Sequence, residues 1–152
     1  MTAADPPSGP NPTETPGPAP AVASIGPSGG PLRVEVEASG HAVVADEPSG
    51  VGGTNAGPDP FGLLYSSLAA CVLMTVRMYA DRKGWPIRGA RVRVAPERRP
   101  GGPLERAELE LEVDAPDLDA DQTARLRDIA GRCPVHRTLE AGVGLRFRDA
   151  TG

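Results

Sequence analysis

The segment PFGLLYSSLAACVLMTVRMYA, Pro60 to Ala80, decides the fold. It is the one stretch long, apolar and unbroken enough to demand burial on nearly every side. Pro60 fits the first position of a helix, where a missing N–H costs nothing, and Asp59 ahead of it is an N-cap residue type. Leu64, Leu68, Cys71, Thr75 and Met78 follow at spacings of three and four, while Leu63, Val72, Val76 and Tyr79 carry the apolar surface around the cylinder. A membrane span needs about 20 predominantly apolar residues, whereas Ser66 and Ser67 dilute this run and Arg77 ends it. The reading is a central core helix, with the rest of the chain as its cover and no membrane involved.

Outward from that helix the chain alternates. Asp81, Arg82, Lys83 and Gly84 close it with cations near its negative end and a glycine stop. Ala90, Val92 and Val94 then alternate with Arg91 and Arg93, and Ala107, Leu109, Leu111 and Val113 with Glu108, Glu110 and Glu112. Around the turn ERRPGGP these make an antiparallel hairpin whose opposite charges, worth about 0.2–1 kcal/mol a pair, set register more than stability. Asp119 with Gln122 three residues on is a capping-box variant, opening a helix whose stripe is Leu126, Ile129 and Ala130. Gly131 stops it, and Pro134 starts a short helix to Leu139 with Cys133 as N-cap. Val143, Leu145 and Phe147 alternate in a final strand.

Ahead of the central helix, Leu32, Val34, Val36 and Ala38 alternate with charged residues, Ser39 and Gly40 turn, and His41 to Ala45 pairs back. The loop to Pro60 is rich in glycine and proline. Residues 1–30 are so dense in Pro, Gly, Ser and Thr that they read as a disordered tail to a single domain over 31–150. The whole is α+β, with antiparallel sheets around a buried helix. Five strands, each with one polar face, hardly enclose a helix apolar all round, so a second copy is expected as part of the cover.

A net charge of −4, a pI near 5.2 and 3 % aromatic residues give neither a basic footprint nor a stacking platform for nucleic acid. Two cysteines do not make a secreted disulfide framework and the N-terminus lacks the pattern of a signal peptide, so the cytoplasm is the expected compartment. Cys71, buried mid-helix among apolar residues, reads alone as packing. Cys133 combines a helix start with the cations Arg132, His136 and Arg137, a setting that lowers a thiol pKa, and reads as the more reactive thiol. The two could meet as a redox pair. Cys133-x-x-His136 as a metal site lacks the remaining ligands, so no metal or bound cofactor is expected.

The segments ADEP, GGTNAGPDPFGLLYSSLAAC, MTVRMYADRKGWPI and RCPVHRTL, in this order and spacing, resemble the OsmC/Ohr family of osmotically inducible and organic hydroperoxide resistance proteins over about residues 32–148. The resemblance implies an intertwined homodimer with two long central helices packed back to back between sheets and two active sites at the subunit interface. It implies a thiol peroxidase in which Cys71 matches the peroxidatic cysteine that attacks an organic hydroperoxide, and Cys133 the resolving one. An external dithiol, lipoyl in the best-known members, would reduce the disulfide. The family activates its first thiol with an arginine from the N-terminal hairpin and a glutamate nine or ten residues earlier; Ala42 and Phe61 or Gly62 stand there in this chain. Arg33 and Arg77 are the candidate substitutes, with His136 as a candidate support. The rival expectation is a catalytically weakened relative that binds an apolar ligand or partner at the interface pocket.

Overall fold

A computed structural model describes residues 19–149. They fall into two units, one ending at Pro60 and one beginning at Phe61. The first is a three-stranded antiparallel sheet of β1 (Ala21–Ile25), β2 (Val34–Ala38) and β3 (His41–Ala45) in that order. Its register sets Ala23, Val36 and Val43 abreast, then Ile25, Val34 and Ala45, so one face is apolar except for His41. Ser39 and Gly40 both take positive φ, 52° and 77°, the primed hairpin turn whose twist suits the flanking strands. Strand β1 corrects the sequence reading of residues 1–30 as a structureless tail. AVASI is too short and small to stand out by composition, but the free edge of β2 pairs with it along its whole length. The remainder of that tail, residues 1–18, lies outside the described residues.

A clamp follows β3. Asp46 is 2 % exposed, and its carboxylate accepts hydrogen bonds from Thr54 Oγ1 (2.6 Å), Thr54 N (2.9 Å), Ala56 N (3.1 Å) and Glu47 N (2.9 Å). The loop packs so closely that a Cβ at Gly57 would collide with the Val44 carbonyl. The Thr54 hydroxyl foremost, then the Ala56 N–H, pull the Asp46 pKa from 3.8 down to about 2. With the folded value below the unfolded one, the clamp is fully in force above pH ~4 and is lost as pH falls through about 2. Thermal melts should therefore show wild type losing stability between those limits. Asp46→Asn, which turns an amide NH2 toward donors, should melt several degrees lower at neutral pH and change less across that window.

In the second unit α1 runs Pro60–Lys83. Its end is a Schellman cap: Trp85 N donates to Ala80 O (2.9 Å) and Gly84 N to Asp81 O (3.1 Å), with Gly84 at φ 66°. Strands β4 (Gly89–Glu97) and β5 (Arg106–Asp114) pair antiparallel with Arg91 opposite Glu112 and Arg93 opposite Glu110, the latter pair 3.3 Å apart. Helix α2 (Ala120–Ala130) starts with the expected capping box, Gln122 N donating to Asp119 Oδ1 (2.8 Å) and Asp119 N to Gln122 Oε1 (3.0 Å). Helix α3 spans Pro134–Ala141. The core joins Leu68, Val72, Val76, Tyr79 and Ala80 of α1 to Leu126, Ile129 and Ala130 of α2, with Ile87 and Cys133.

Three expectations need correction here. Helix α1 is buried along one stripe only; Met74 and Met78 are 64 % and 71 % exposed, because the core of the second unit packs on a single side of it. By length and composition α1 is also apolar enough to cross a membrane, since one arginine and two serines do not offset the other side chains. The final strand is absent: residues 142–149 are irregular, and Val143, Leu145 and Phe147 are exposed. Alternation produces a strand only where a neighbouring edge takes its hydrogen bonds, and none of the described strands does so.

Candidate active site

Helix α1 carries Cys71 on the flank of its buried stripe, where it is half-buried against the core. The stop after α2 swings the chain so that Cys133 becomes the N-cap of α3, at 0 % exposure, its Sγ accepting from His136 N at 3.3 Å. Both cysteines are free, and Cys71 packs against the cluster that contains Cys133, near enough for its thiol to act on the titration of the Cys133 thiol. The sequence expectation of an acidified Cys133 does not hold. Burial, the largest effect, pushes its pKa up; the His136 N–H pulls down, and the Cys71 thiol adds a further upward push. Arg132 and Arg137, the cations invoked from sequence, are exposed.

His136 points its Nε2 at Glu140 Oε1 (3.2 Å), while its Nδ1 is buried without a hydrogen-bond partner. Arg77 sits six residues beyond Cys71, about 240° around the helix. Its guanidinium donates to the Ile87 carbonyl (3.2 Å) and pairs with Asp81 (3.7 Å), so it is directed elsewhere. Arg33 lies in the first unit, bonded to Glu35 at 3.2 Å. Ala42 pairs with Glu37 in the sheet. At Phe61 the sequence reading missed a cation: the Arg98 guanidinium, from the β4–β5 turn, stacks 4.0 Å from the ring centroid. It missed Glu140 too, although its i,i+4 spacing from His136 on a short helix was a usable signal.

The profile of the family described as OsmC-like protein matches residues 53–147, a stretch that holds both thiols and all of α1 to α3. The chain belongs to the OsmC family. Among curated protein sequences none matches significantly. Among solved structures, an OsmC-like protein from Mycoplasma pneumoniae is 23 % identical with TM-score 0.66, covering 80 % of this chain and 86 % of that one. An organic hydroperoxide resistance protein OsmC from Legionella pneumophila is 19 % identical with TM-score 0.59, covering 83 % and 91 %. These likenesses establish that the chain has the OsmC fold. The family match begins after β3, so within the OsmC profile the candidate site rests on residues of the second unit.

Proposed function

We propose that this OsmC-family chain is a cytoplasmic, soluble thiol peroxidase that reduces organic hydroperoxides. The observation that carries the reading is the adjacency of the Cys71 and Cys133 thiols. In the first step the Cys71 thiolate attacks the terminal peroxide oxygen: an S–O bond forms, the O–O bond breaks, and the alkoxide takes a proton and leaves as an alcohol. The Cys133 thiolate then attacks the sulfenic sulfur, an S–S bond forms, the S–O bond breaks, and hydroxide leaves as water. A dithiol, of the lipoyl kind, returns the pair to thiols. A second copy covers the exposed side of α1, which includes Met74 and Met78. Sedimentation should give twice the chain mass; a monomer would remove this cover. The decisive assay is consumption of cumene hydroperoxide with dihydrolipoamide against a monothiol, where failure with both reductants rejects the enzyme.

Burial of Cys133 makes its thiolate scarce near neutrality, so disulfide formation should speed up about tenfold per pH unit below the raised pKa. Acid-quenched peptide mapping from pH 6 to 9 reads this directly, and a flat profile would contradict it. The second reading is a weakened family member that binds an apolar ligand. It is favoured by Arg77, whose guanidinium is spent on Ile87 and Asp81, and by an apolar Phe61 where the family resemblance calls for a carboxylate.

A further inference from the structure

The last turn of α1 and the middle of α2 bring three cations around one ring. Arg82 Cζ lies 5.2 Å from the centroid of Tyr79, Lys83 Nζ 5.9 Å and Arg125 Cζ 5.9 Å. The ring itself is held in place: Tyr79 is 9 % exposed, meets Trp85 edge-on at 5.7 Å, and its hydroxyl accepts from Arg125 Nε at 3.3 Å. Arg82 and Lys83 complement the negative end of α1, which accounts for two of the charges. It does not account for Arg125, which stands midway along α2, where no helix end calls for a cation. Nor do carboxylates balance the three. Asp81 is engaged by Arg77 (3.7 Å) and Asp128 by Arg125 (3.7 Å), while among the described residues Arg82 and Lys83 have no carboxylate in ion-pair range. Attraction to the face of a ring neutralises no charge. The Tyr79 phenol registers the positive field that results: the Arg125 hydrogen bond foremost, then, against burial, the charges of Arg125, Lys83 and Arg82 hold its pKa below the usual tyrosine value.

We propose that Arg82, Lys83 and Arg125 form a binding site for a phosphate monoester, its phosphoryl group held among the three side chains beside the Tyr79 ring. Two guanidinium forks and an ammonium present more donors and more charge than one carboxylate can answer, whereas a phosphoryl group brings three acceptor oxygens and nearly two negative charges. The cations are open to a dissolved anion: Arg82 and Lys83 are exposed, and the Arg125 side chain is 43 % exposed. This binding is independent of the peroxidase reading. Tyr79 is eight residues beyond Cys71, about 12 Å along α1, and no thiol takes part.

The test titrates methyl phosphate, and acetate as a singly charged partner, into the full chain at constant ionic strength. NMR of a chain with carbon-labelled tyrosine follows it, because the only two tyrosines, Tyr65 and Tyr79, then report separately. Methyl phosphate should shift the Tyr79 signal saturably, with a Kd on the order of 1 mM, and acetate should bind about tenfold more weakly. The bound anion should also move the titration of the Tyr79 phenol to higher pH and leave that of Tyr65 in place, since a nearby negative charge disfavours the phenolate. Arg125→Gln should weaken methyl phosphate about tenfold, and Lys83→Met, which keeps the stem and removes the charge, roughly threefold. A shift that does not saturate, equal affinity for acetate, or binding that Lys83→Met and Arg125→Gln leave at the wild-type level overturns the proposal. So does saturable binding that moves Tyr65 and not Tyr79, because the phosphate would then occupy another place. If Arg125→Gln does not fold, Arg82→Gln combined with Lys83→Met, both at exposed positions, still decides.

Discussion

Replacing Cys71 with serine should lower hydroperoxide consumption about 10⁴-fold or more, the scale on which loss of a reacting nucleophile registers in enzymes that depend on one. A serine hydroxyl in the same half-buried place keeps the volume and loses the thiolate, so the melting temperature should barely move. Cys133→Ser should behave differently. With its attacking thiol intact it should still consume one equivalent of hydroperoxide per chain, then stop, with a sulfenic acid at Cys71 that reacts with a dione probe. The reverse pattern, an inert Cys133→Ser and a Cys71→Ser that still reacts once, would assign the attack to Cys133. That outcome would be the one suggested by its place at a helix start, and burial is the reason not to expect it. A buried thiol without an adjacent cation stays protonated, and the two N–H groups of α3 that pull its pKa down, from Val135 and His136, are outweighed.

That reversal shows what the sequence could and could not carry. The Asp119–Gln122 capping box and the Arg93–Glu110 pairing were legible because each is fixed by local spacing or by two alternating faces that leave one sensible register. Cys133 as N-cap was legible for the same reason, from Pro134 behind it. Its pKa was not, because burial is set by Leu126, Ile129 and the α1 stripe, residues that meet it only in the folded chain. Strand β1 and the missing final strand are one lesson in opposite directions. AVASI has weak alternation but finds the edge of β2, whereas Val143, Leu145 and Phe147 have strong alternation and find no edge among the described strands. Arg98 over Phe61 was invisible because a hairpin turn some 37 residues on delivers it. The place of Arg77 follows from helix arithmetic alone, since six residues set its side chain about 240° around α1 from Cys71.

Leu126→Ala should have the largest effect on stability. Leu126 is 0 % exposed and among the largest fully buried side chains, so its truncation removes transfer free energy and leaves a cavity that the surrounding side chains only partly fill. The cost should be about 2–5 kcal/mol. Against a total of ~5–15 kcal/mol for a domain, this takes a large share of the stability and lowers the melting temperature by roughly 2–4 °C for each kcal/mol. Chain concentration must be held constant, because association with a second copy would add to apparent stability. The same substitution should act on chemistry at a distance. Leu126 fixes α2 in the core that Val72 shares, α2 leads directly into Cys133, and Cys71 precedes Val72, so loosening that contact lets the two thiols separate. Disulfide formation after one equivalent of hydroperoxide should therefore slow severalfold in Leu126→Ala at a temperature where it remains folded, while the first attack by Cys71 keeps its rate. Asp119→Ala is the control: it removes the cap of the same helix at a cost of about 0.5–2 kcal/mol without opening the core, and should leave disulfide formation near wild type. If Leu126→Ala melts like wild type, α2 is not held as described. If it melts low yet forms the disulfide at the wild-type rate, the packing of α2 does not set the approach of the thiols.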